Sequence, residues 1–277
     1  EPDSYSRVNV LLGLGQNALL VGGRFTGIGG QARTNLGRVL GSGQVDAAFQ
    51  PKLELLSQYG AVQAASLLPD GKIVAGGYGI RFRDSGGNAR TNLARLNSDG
   101  TLDTSFDAGL TLESGVNSLA VQPDGKVVMA GSGSAQFGYA LLVRLLTNGV
   151  RDPAFIQTGY GLGEKVAIQL DGRIIVYGAL DAGLTRVGLF YTNGTADTSF
   201  NPGAGFAGAT NYLVNQLRVM ANGDVMVAGQ FGRWDGNPAL GGLVRLRGST
   251  PVAIAPTITL QPQDVSLVPT MWQGAPA

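Results

Sequence analysis

The sequence predicts an all-β fold, a β-propeller of five four-stranded antiparallel blades with an extended C-terminal tail. A unit of about 50 residues repeats along the 277-residue chain. Each unit contains short apolar runs bounded by Gly-marked turns, which predict strands joined by tight hairpins. No segment keeps a 3.6-residue apolar period over the length of a helix. Four strands per unit at this period are typical of a propeller.

The first half of each unit contains a predicted hairpin. In four copies a Val stands nine positions before the turn Gly or the Asn that replaces it, as in VQAASLLPDGK from Val62 and VNSLAVQPDGK from Val116. The other copies are VNVLLGLGQNA, VNQLRVMANGD and the weaker GEKVAIQLDGR. They are followed by the apolar runs LLVGG, IVAGG, VVMAG, VMVAG and IIVYG. P-D-G or N-G between two such runs predicts a tight turn between adjacent strands.

The second half of the unit carries a predicted ion pair. ARTNLGRVL and ARTNLARLN lead into turns such as N-S-D-G-T, after which come the endings VDAAF, LDTSF, RDPAF and ADTSF. A three-residue loop with Gly100 in the left-handed conformation places Arg95 opposite Asp103. A buried pair of this kind loses about 3 to 5 kcal/mol when one partner is removed, so a structural role is favoured. The same offset joins Arg38 to Asp46 and Arg144 to Asp152, whereas Leu189 stands opposite Asp197, which therefore needs another donor.

Composition excludes several classes of function. The 20 basic and 19 acidic residues give a net charge of +1. No basic stripe is present to contact successive phosphates, so nucleic acid is not an expected partner. No apolar stretch approaches the roughly 18 residues of a membrane span. The absence of His and Cys excludes Ser-His-Asp and Cys-His catalysis, thiol redox chemistry and zinc sites made of imidazole or thiolate. No cofactor or metal site is predicted.

The order of these motifs carries a family resemblance. VNSLAVQPDGK, VVMAG and ARLNSDGTLDTSF resemble the repeats of the bacterial delta-60-repeat β-propeller family, from about Val8 to Leu246. The resemblance implies a large secreted or cell-surface protein in which propellers accompany immunoglobulin-like domains, and it brings no established catalytic activity. APTITLQPQDVSL near the C-terminus resembles the first strand of such an immunoglobulin-like module.

These observations predict a propeller over residues 1–255, with repeats near 8–60, 61–114, 115–162, 163–212 and 213–255, and a tail over 256–277. The segment Pro251 to Ile254 is the favoured outer strand of the last blade. The tail is extended and interrupted by proline. One hypothesis is that it adds a strand to a sheet edge of a second copy, which generates a filament when the contact does not close. The alternatives are a tail packed on its own propeller and a linker to another domain.

A ring of polar side chains is the first candidate ligand site. The residue after the aligned Val starts the innermost strand of each unit, so five polar groups are expected at one mouth of the central channel. They are Asn9, Gln63, Asn117, Glu164 and Asn215. This ring suits a sugar, an ion or ordered water, whereas the alternative is that these side chains cap the crossover loops. Longer loops on the same face add a second set of candidates, Arg24, Phe25, Arg81, Tyr139, Trp234 and Asp235.

The leading functional hypothesis is a noncatalytic structural or adhesive module outside a bacterial cell, which works through protein–protein interaction and self-assembles into a filament through its tail. A lectin-like propeller that binds carbohydrate on the loop face is one alternative. A carboxylate-dependent glycoside hydrolase is the other, and it needs two acids about 5 to 9.5 Å apart. Glu164 is the carboxylate expected at the channel mouth, so Asp84, Asp181 or Asp235 would have to approach it.

Overall fold

A computed structural model describes residues 6–15, 17–132, 142–156, 163–178, 187–200, 206–207, 213–231, 233–234 and 242–246. All regular secondary structure in these ranges is β, and every strand pairing is antiparallel. The all-β prediction is therefore confirmed. The part of the chain that is described has no helix, and hence none that is long and apolar enough to cross a membrane.

Five three-stranded meanders follow one another along the chain. The first contains β1 (Arg7–Gly13), β2 (Leu19–Arg24) and β5 (Leu36–Val39), with the small hairpin β3 (Gly27–Ile28) and β4 (Gln31–Ala32) between them. The second contains β7 (Ala61–Leu67), β8 (Ile73–Arg83) and β9 (Ala89–Leu96), and β6 (Lys52–Leu55) pairs with the far end of β8. The third contains β10 (Gly115–Val121), β11 (Val127–Ser132) and β12 (Leu142–Leu145). The fourth contains β13 (Gly163–Ile168), β14 (Ile174–Gly178) and β15 (Val187–Phe190). The fifth contains β17 (Leu213–Val219), β18 (Val225–Gln230) and β20 (Leu243–Leu246), and β16 (Phe206–Ala207) pairs with β19 (Arg233–Trp234) beside it.

The predicted fourth strand of each blade is shorter in the structure. In the first four units it is a single-residue bridge, which joins Val39 to Val45, Leu96 to Leu102, Leu145 to Arg151 and Phe190 to Ala196. The ladder ends there because the next residue, an Asp, starts a turn. In the second unit Asp103 Oδ1 accepts a hydrogen bond from Ser105 N at 3.0 Å, and the Asp103 carbonyl accepts one from Phe106 N. The chain therefore leaves the sheet edge after one ladder residue.

In the second unit, the hairpin between the third strand, β9, and the bridge residue Leu102 that follows it has the predicted register. Asn97 N donates to the Thr101 carbonyl at 2.8 Å, and Gly100 N donates to the Asn97 carbonyl at 2.9 Å. Gly100 has φ of 90°, which a residue with a Cβ adopts only at a cost. The loop therefore contains three residues, as predicted from N-S-D-G-T.

The apolar core lies between successive units. Each middle strand turns alternate side chains toward opposite neighbours, as in any pleated strand. Ile73 of β8 packs in the cluster shared with the first unit, whereas the adjacent Val74 packs in the cluster shared with the third. The pairs Val127/Val128 and Ile174/Ile175 divide in the same way. The middle strands read as continuous apolar runs because both of their faces are buried.

The first unit has no such neighbour on its other face among the described residues. Leu11, two positions after the ring residue Asn9, is 66% exposed, whereas its counterparts Leu119, Val166 and Leu217 are 5 to 8% exposed. The described residues form four apolar clusters between successive units, and none joins the fifth unit to the first. Closure of a five-bladed ring stays a prediction. The segments Pro251 to Ile254 and 256–277 lie outside the described residues, so the tail and the last outer strand also stay predictions.

The D-x-x-F ending of one unit binds the turn of the next unit. Arg95 Nε is 2.7 Å from Asp103 Oδ2, and its guanidinium carbon lies 5.0 Å from the centre of the Phe106 ring. The same guanidinium donates to the carbonyl of Thr147, which belongs to the turn of the third unit. The backbone N of Asp107 then donates to the carbonyl of the neighbouring Asn148 at 2.9 Å. We call this set of contacts the clasp.

Two further clasps repeat this geometry. Arg38 and Arg144 lie 2.7 and 2.9 Å from the carboxylates of Asp46 and Asp152. They donate to the carbonyls of Ser98 and Thr192, each in the turn of the following unit. The rings of Phe49 and Phe155 each lie 4.9 Å below the guanidinium carbon. The predicted pairs are thus brought together, and each also joins its unit to the next one.

The fourth and fifth units keep an ion pair at this corner with different partners. Asp197 of the fourth unit, which faces Leu189, lies 3.2 Å from Nη1 of Arg173 in the first hairpin of the same unit. In the fifth unit Asp224 occupies the position of Arg173 in the hairpin, and Nε of Arg245 donates to its Oδ2 at 2.7 Å. One acid and one base are retained at this corner in both units; the base has moved to the hairpin in the fourth unit, and the acid has moved to the hairpin in the fifth.

Candidate functional site: the mouth of the cavity between the inner strands

The inner strands of all five units line one cavity. β1, β7, β10, β13 and β17 each contribute side chains to a volume of about 590 Å³. One mouth of this cavity is a pocket of about 420 Å³, where the side chains are mainly polar. Its lining consists of Val8, Asn9, Gln63, Asn117, Glu164, Lys165, Val214 and Asn215. The structure therefore brings all five predicted ring residues to one place.

A β-bulge positions each ring residue. On β7, Val62 pairs with Gly77 and Ala64 pairs with Gly76, so Gln63 between them has no partner in the ladder. The same irregularity falls at the ring residue of the other four inner strands. A bulge bends the strand and redirects the side chain of the extra residue. This local geometry directs five side chains into the mouth.

The glycine opposite the bulge is required by the close approach of the two strands. A Cβ on Gly77 would lie 1.9 Å from the carbonyl oxygen of Ala61, far inside van der Waals contact. Gly23 and Gly131 occupy the equivalent positions, where a Cβ would lie 2.1 and 2.0 Å from backbone oxygens. The recurrent Gly at the end of LLVGG, IVAGG and VVMAG is thus a requirement of the bulge.

Two buried asparagines hold the connections that border this face. Asn92, from the repeated ARTNL segment, is fully buried and has φ of 60°. Its Oδ1 accepts a hydrogen bond from Ile80 N, and its Nδ2 donates to the carbonyl of Ser114 at 2.9 Å, just before β10 begins. Asn35 has the same role in the first unit, where it bonds Phe25 N and the Gly60 carbonyl. The repetition of ARTNL is visible in the sequence, but its bonding role was not predicted.

The ring residues differ in how much of their bonding capacity the protein uses. Asn9 Nδ2 donates to the Val62 carbonyl at 3.0 Å and so joins the first unit to the second. Asn117 and Glu164 also have partners. In the described part of the chain, no hydrogen bond to another residue involves the side chain of Gln63 or Asn215. Asn9 is therefore bonded to a strand of the second unit and not to a crossover loop, whereas Gln63 and Asn215 keep polar groups at the mouth.

Lys165 is the functional candidate that sequence reasoning missed. It lies directly after Glu164 and lines both the mouth and the cavity beneath it. Burial lowers the pKa of its ammonium group, and the negative charge of Glu164 opposes that shift. The signal in the sequence was that the fourth unit alone places two charged residues at the bulge. Because Glu164 and Lys165 both line the mouth, the fourth unit contributes the most polar part of the ring.

The described members of the second predicted set of residues lie away from the ring. The guanidinium carbon of Arg24 lies 5.6 Å from the centre of the Tyr59 ring, and Phe25 is buried at 7% exposure. Arg81 lies 3.7 Å from the carboxylate of Glu54 on β6. The backbone of Trp234 pairs with Phe206, and Tyr139 and Asp235 lie outside the described residues. None of the described members lines the mouth or the cavity.

The acidic groups of the described residues are dispersed. Glu164 is the only carboxylate among them that lines the mouth, and none lines the cavity beneath it. Asp84 instead accepts hydrogen bonds from the backbone and side chain of Asn88 in its own hairpin. No cluster of three or more acidic side chains suited to a metal ion occurs in the described ranges.

Comparisons with known proteins agree with this architecture. The family described as "Domain of unknown function (DUF5122) beta-propeller" matches residues 17–49, 68–106 and 122–155. These segments cover the turns and D-x-x-F endings of the first three units. No curated protein matches the chain at a significant level. The family match supports a propeller family.

Solved structures with low sequence identity share the fold. A catalytically inactive variant of virginiamycin B lyase from Staphylococcus aureus with quinupristin superposes with a TM-score of 0.54 at 15% identity, over 96% of this chain and 73% of that one. The extracellular domain of a protein from B. thetaiotaomicron described as a hybrid two component system gives 0.52 at 16% identity, over 93% of this chain and 29% of that one. A second such domain, described as part of a one component system, gives 0.51 at 13% identity, over 90% and 29%. The chain therefore spans less than a third of the last two, and the likeness shows the fold alone.

Proposed function

We propose that the chain is a noncatalytic, extracellular bacterial propeller module that acts in adhesion and recognises a carbohydrate at the mouth of its central channel. Five units stand around one axis in this proposal, and the first and fifth close the ring. The adhesive role and the lectin-like role are then one activity, since the mouth supplies the contact. The filament predicted from the tail is a separate proposal.

The observation that carries this proposal is the convergence of polar side chains from five separate strands. Amide groups both donate and accept hydrogen bonds, which suits the hydroxyl groups of a sugar. Bulges fix their direction on a rigid sheet scaffold, so binding costs little conformational entropy. A mouth of about 420 Å³ falls within the range of about 300 to 1,000 Å³ that is common for small-molecule sites.

The arrangement of carboxylates supports a noncatalytic role. Hydrolysis of a glycosidic bond by two acids needs a pair about 5 to 9.5 Å apart. Glu164 lines the mouth without a second described carboxylate, and Asp84 is bonded within its own hairpin. Asp181 and Asp235 lie outside the described residues. A glycoside hydrolase is therefore the less favoured candidate.

Extracellular placement is supported by two kinds of observation. Two of the propellers that share the fold are extracellular domains of bacterial proteins. The resemblance of the repeats to a family of secreted and surface proteins points the same way. Detection of the protein on intact cells by protease shaving would test this placement.

A glycan array followed by calorimetry tests the binding site. Gln63→Ala and Asn215→Ala each remove polar groups that form no hydrogen bond to another described residue. Each lost hydrogen bond is worth about 1.4 kcal/mol, so the Kd for the selected glycan is expected to rise about tenfold. Arg24→Ala is the matched control on the same face, and it is expected to bind normally. Absence of any glycan ligand, or unchanged binding by both mouth variants, would refute the proposal.

A further inference from the structure

The cavity below the mouth has an unbalanced set of charges. Lys165 on β13 and Arg218 on β17 both line it, and no carboxylate among the described residues does so. The polar remainder of the lining is neutral and consists of Asn9, Gln63, Asn117, Ser118 and Gln216. Because charges near a protein surface are screened less than in bulk water, half-buried Lys165 and exposed Arg218 together make this interior attractive to an anion.

Lys165 and Arg218 differ from the arginines that form the ion pairs described above. Arg95, Arg144 and Arg173 each have a carboxylate within 4 Å. In the described part of the chain, Lys165 and Arg218 have no carboxylate within 4 Å, although the negative charge of Glu164 acts on Lys165. Lys165 is half-buried, and burial lowers the pKa of its ammonium group, so the charged form gains from an added anion.

We propose that the ligand of this channel is an acidic saccharide, whose carboxylate enters the cavity between Lys165 and Arg218 while its hydroxyl groups bond the amides of the mouth. This inference rests on the proposed carbohydrate-binding function and adds the charge and orientation of the ligand. Guanidinium and ammonium groups are the usual partners of carboxylates. Glu164 sets the orientation, because its carboxylate at the mouth repels an anion there and favours the neutral end of the sugar.

Calorimetry with the full chain and three probes tests this inference. The probes are D-galacturonic acid, D-galactose and inorganic sulfate, each titrated at low and at physiological salt. D-galacturonic acid is expected to bind at least tenfold more tightly than D-galactose, with a preference that decreases as salt rises. Sulfate is expected to bind more weakly than the acidic sugar, because it cannot also bond the mouth.

Three variants separate the charges. Arg218→Gln is expected to weaken binding of D-galacturonic acid at least tenfold and to leave D-galactose binding within twofold, because Arg218 lines the cavity but not the mouth. Lys165→Gln is expected to weaken binding of D-galacturonic acid at least tenfold, and to weaken binding of D-galactose much less. Glu164→Gln is expected to strengthen binding of the acidic sugar severalfold, because a repulsive charge is lost. Lys126→Gln is the control, since Lys126 lies in a hairpin outside the cavity lining and is expected to leave binding unchanged. Cooperative thermal unfolding of every variant establishes that it is folded.

The outcomes distinguish this inference from the function on which it rests. Equal affinity for D-galactose and D-galacturonic acid, with no effect of Lys165→Gln, overturns the inference and leaves the carbohydrate site standing. Equal affinity for sulfate and the acidic sugar also overturns it, because the channel then binds an inorganic anion. If this chain binds neither these sugars nor any glycan on the array, both proposals are wrong.

Discussion

Replacement of Arg95 by Met is the sharpest test of the clasp. Arg95 is 7% exposed, and it bonds Asp103, Ser105 Oγ and the Thr147 carbonyl. Its guanidinium carbon also lies 5.0 Å from the centre of the Phe106 ring. Met keeps the aliphatic stem and removes the charge, so the change isolates the electrostatic contacts.

The expected loss in the free energy of unfolding follows from the contacts that Asp103 and Phe106 would lose. Removal of one partner from a buried ion pair costs about 3 to 5 kcal/mol. Nζ of Lys72 remains 2.7 Å from the Asp103 carboxylate, which favours the lower end of that range. The contact with the Phe106 ring adds about 0.5 to 1 kcal/mol. We therefore expect Arg95→Met to lower the free energy of unfolding by about 3 to 4 kcal/mol.

Urea unfolding followed by far-UV circular dichroism measures this loss. Arg38→Met is the matched control, because the Arg38 side chain is 19% exposed against 9% for Arg95, and a loss of about 1 to 2 kcal/mol is expected for this more solvated pair. The double variant Arg95→Met/Asp103→Ala is expected to lose at least about 1 kcal/mol less than the sum of the two single variants, since both single changes break the same ion pair. A loss below about 1 kcal/mol for Arg95→Met, or additive losses in the double variant, would refute this account of the clasp.

The remaining predictions concern other parts of the fold. Asn92→Ala is expected to lower the free energy of unfolding in urea by about 3 to 5 kcal/mol, because it leaves buried backbone groups without hydrogen bonds at a position with positive φ. Asn92→Gly loses the same hydrogen bonds but avoids about 1 kcal/mol of backbone strain, so its loss is expected to be smaller by that amount. Equal losses for the two variants would contradict the positive-φ argument. Gly77→Ala is expected to lower the free energy of unfolding by more than about 3 kcal/mol or to prevent folding. Gly13→Ala is the control, because its added Cβ meets no atom within 4 Å, and it is expected to change the free energy of unfolding by no more than about 0.5 kcal/mol. Similar losses for both variants would disprove the need for Gly at the bulge. Burial tends to raise the pKa of Asp103, but hydrogen bonds from Lys72, Ser105 and Arg95 outweigh it and hold the pKa well below its usual range. The stability that ionised Asp103 contributes is therefore present above about pH 4 and is lost as pH falls. The difference in the free energy of urea unfolding between wild type and Asp103→Asn should shrink from about pH 5 to about pH 2. A constant difference over this range would contradict the role given to ionised Asp103. Truncation before Pro256 is expected to abolish assembly measured by light scattering, and assembly that persists in the truncated chain would remove the tail from the joint.

The parts of the fold that depend on local chemistry could be predicted from the sequence. N-S-D-G-T fixes a three-residue loop, because only Gly adopts the required positive φ without cost, and that loop sets Arg95 opposite Asp103. The ring residues were found through their shared place in the repeat, since equivalent positions of a repeat occupy equivalent positions around the structure. These predictions needed no knowledge of how one unit meets the next.

The parts that depend on contacts between units could not be predicted. The offset between Arg95 and Asp103 is visible in the sequence, but the bond from Arg95 to Thr147 spans two units and has no local pattern. The bulge at Gln63 was missed because a single extra residue does not disturb the apolar period of so short a strand. Lys165 was missed for a related reason, because the bulge decides that two consecutive side chains both reach the mouth.

Each clasp joins the ending of one unit to the turn of the following unit, and this direction affects how the number of repeats in such a chain can change. The first three units each give a Phe and an Arg forward, and the second, third and fourth units receive these groups on their turns, so these three joints are interchangeable. Gly43 of the first unit, in contrast, has open space where a Cβ would project, while the corresponding Gly100 and Gly194 lie against Phe49 and Phe155 of the preceding unit. Duplication or loss of the second or third unit by unequal recombination therefore recreates the same joint between the units that become neighbours.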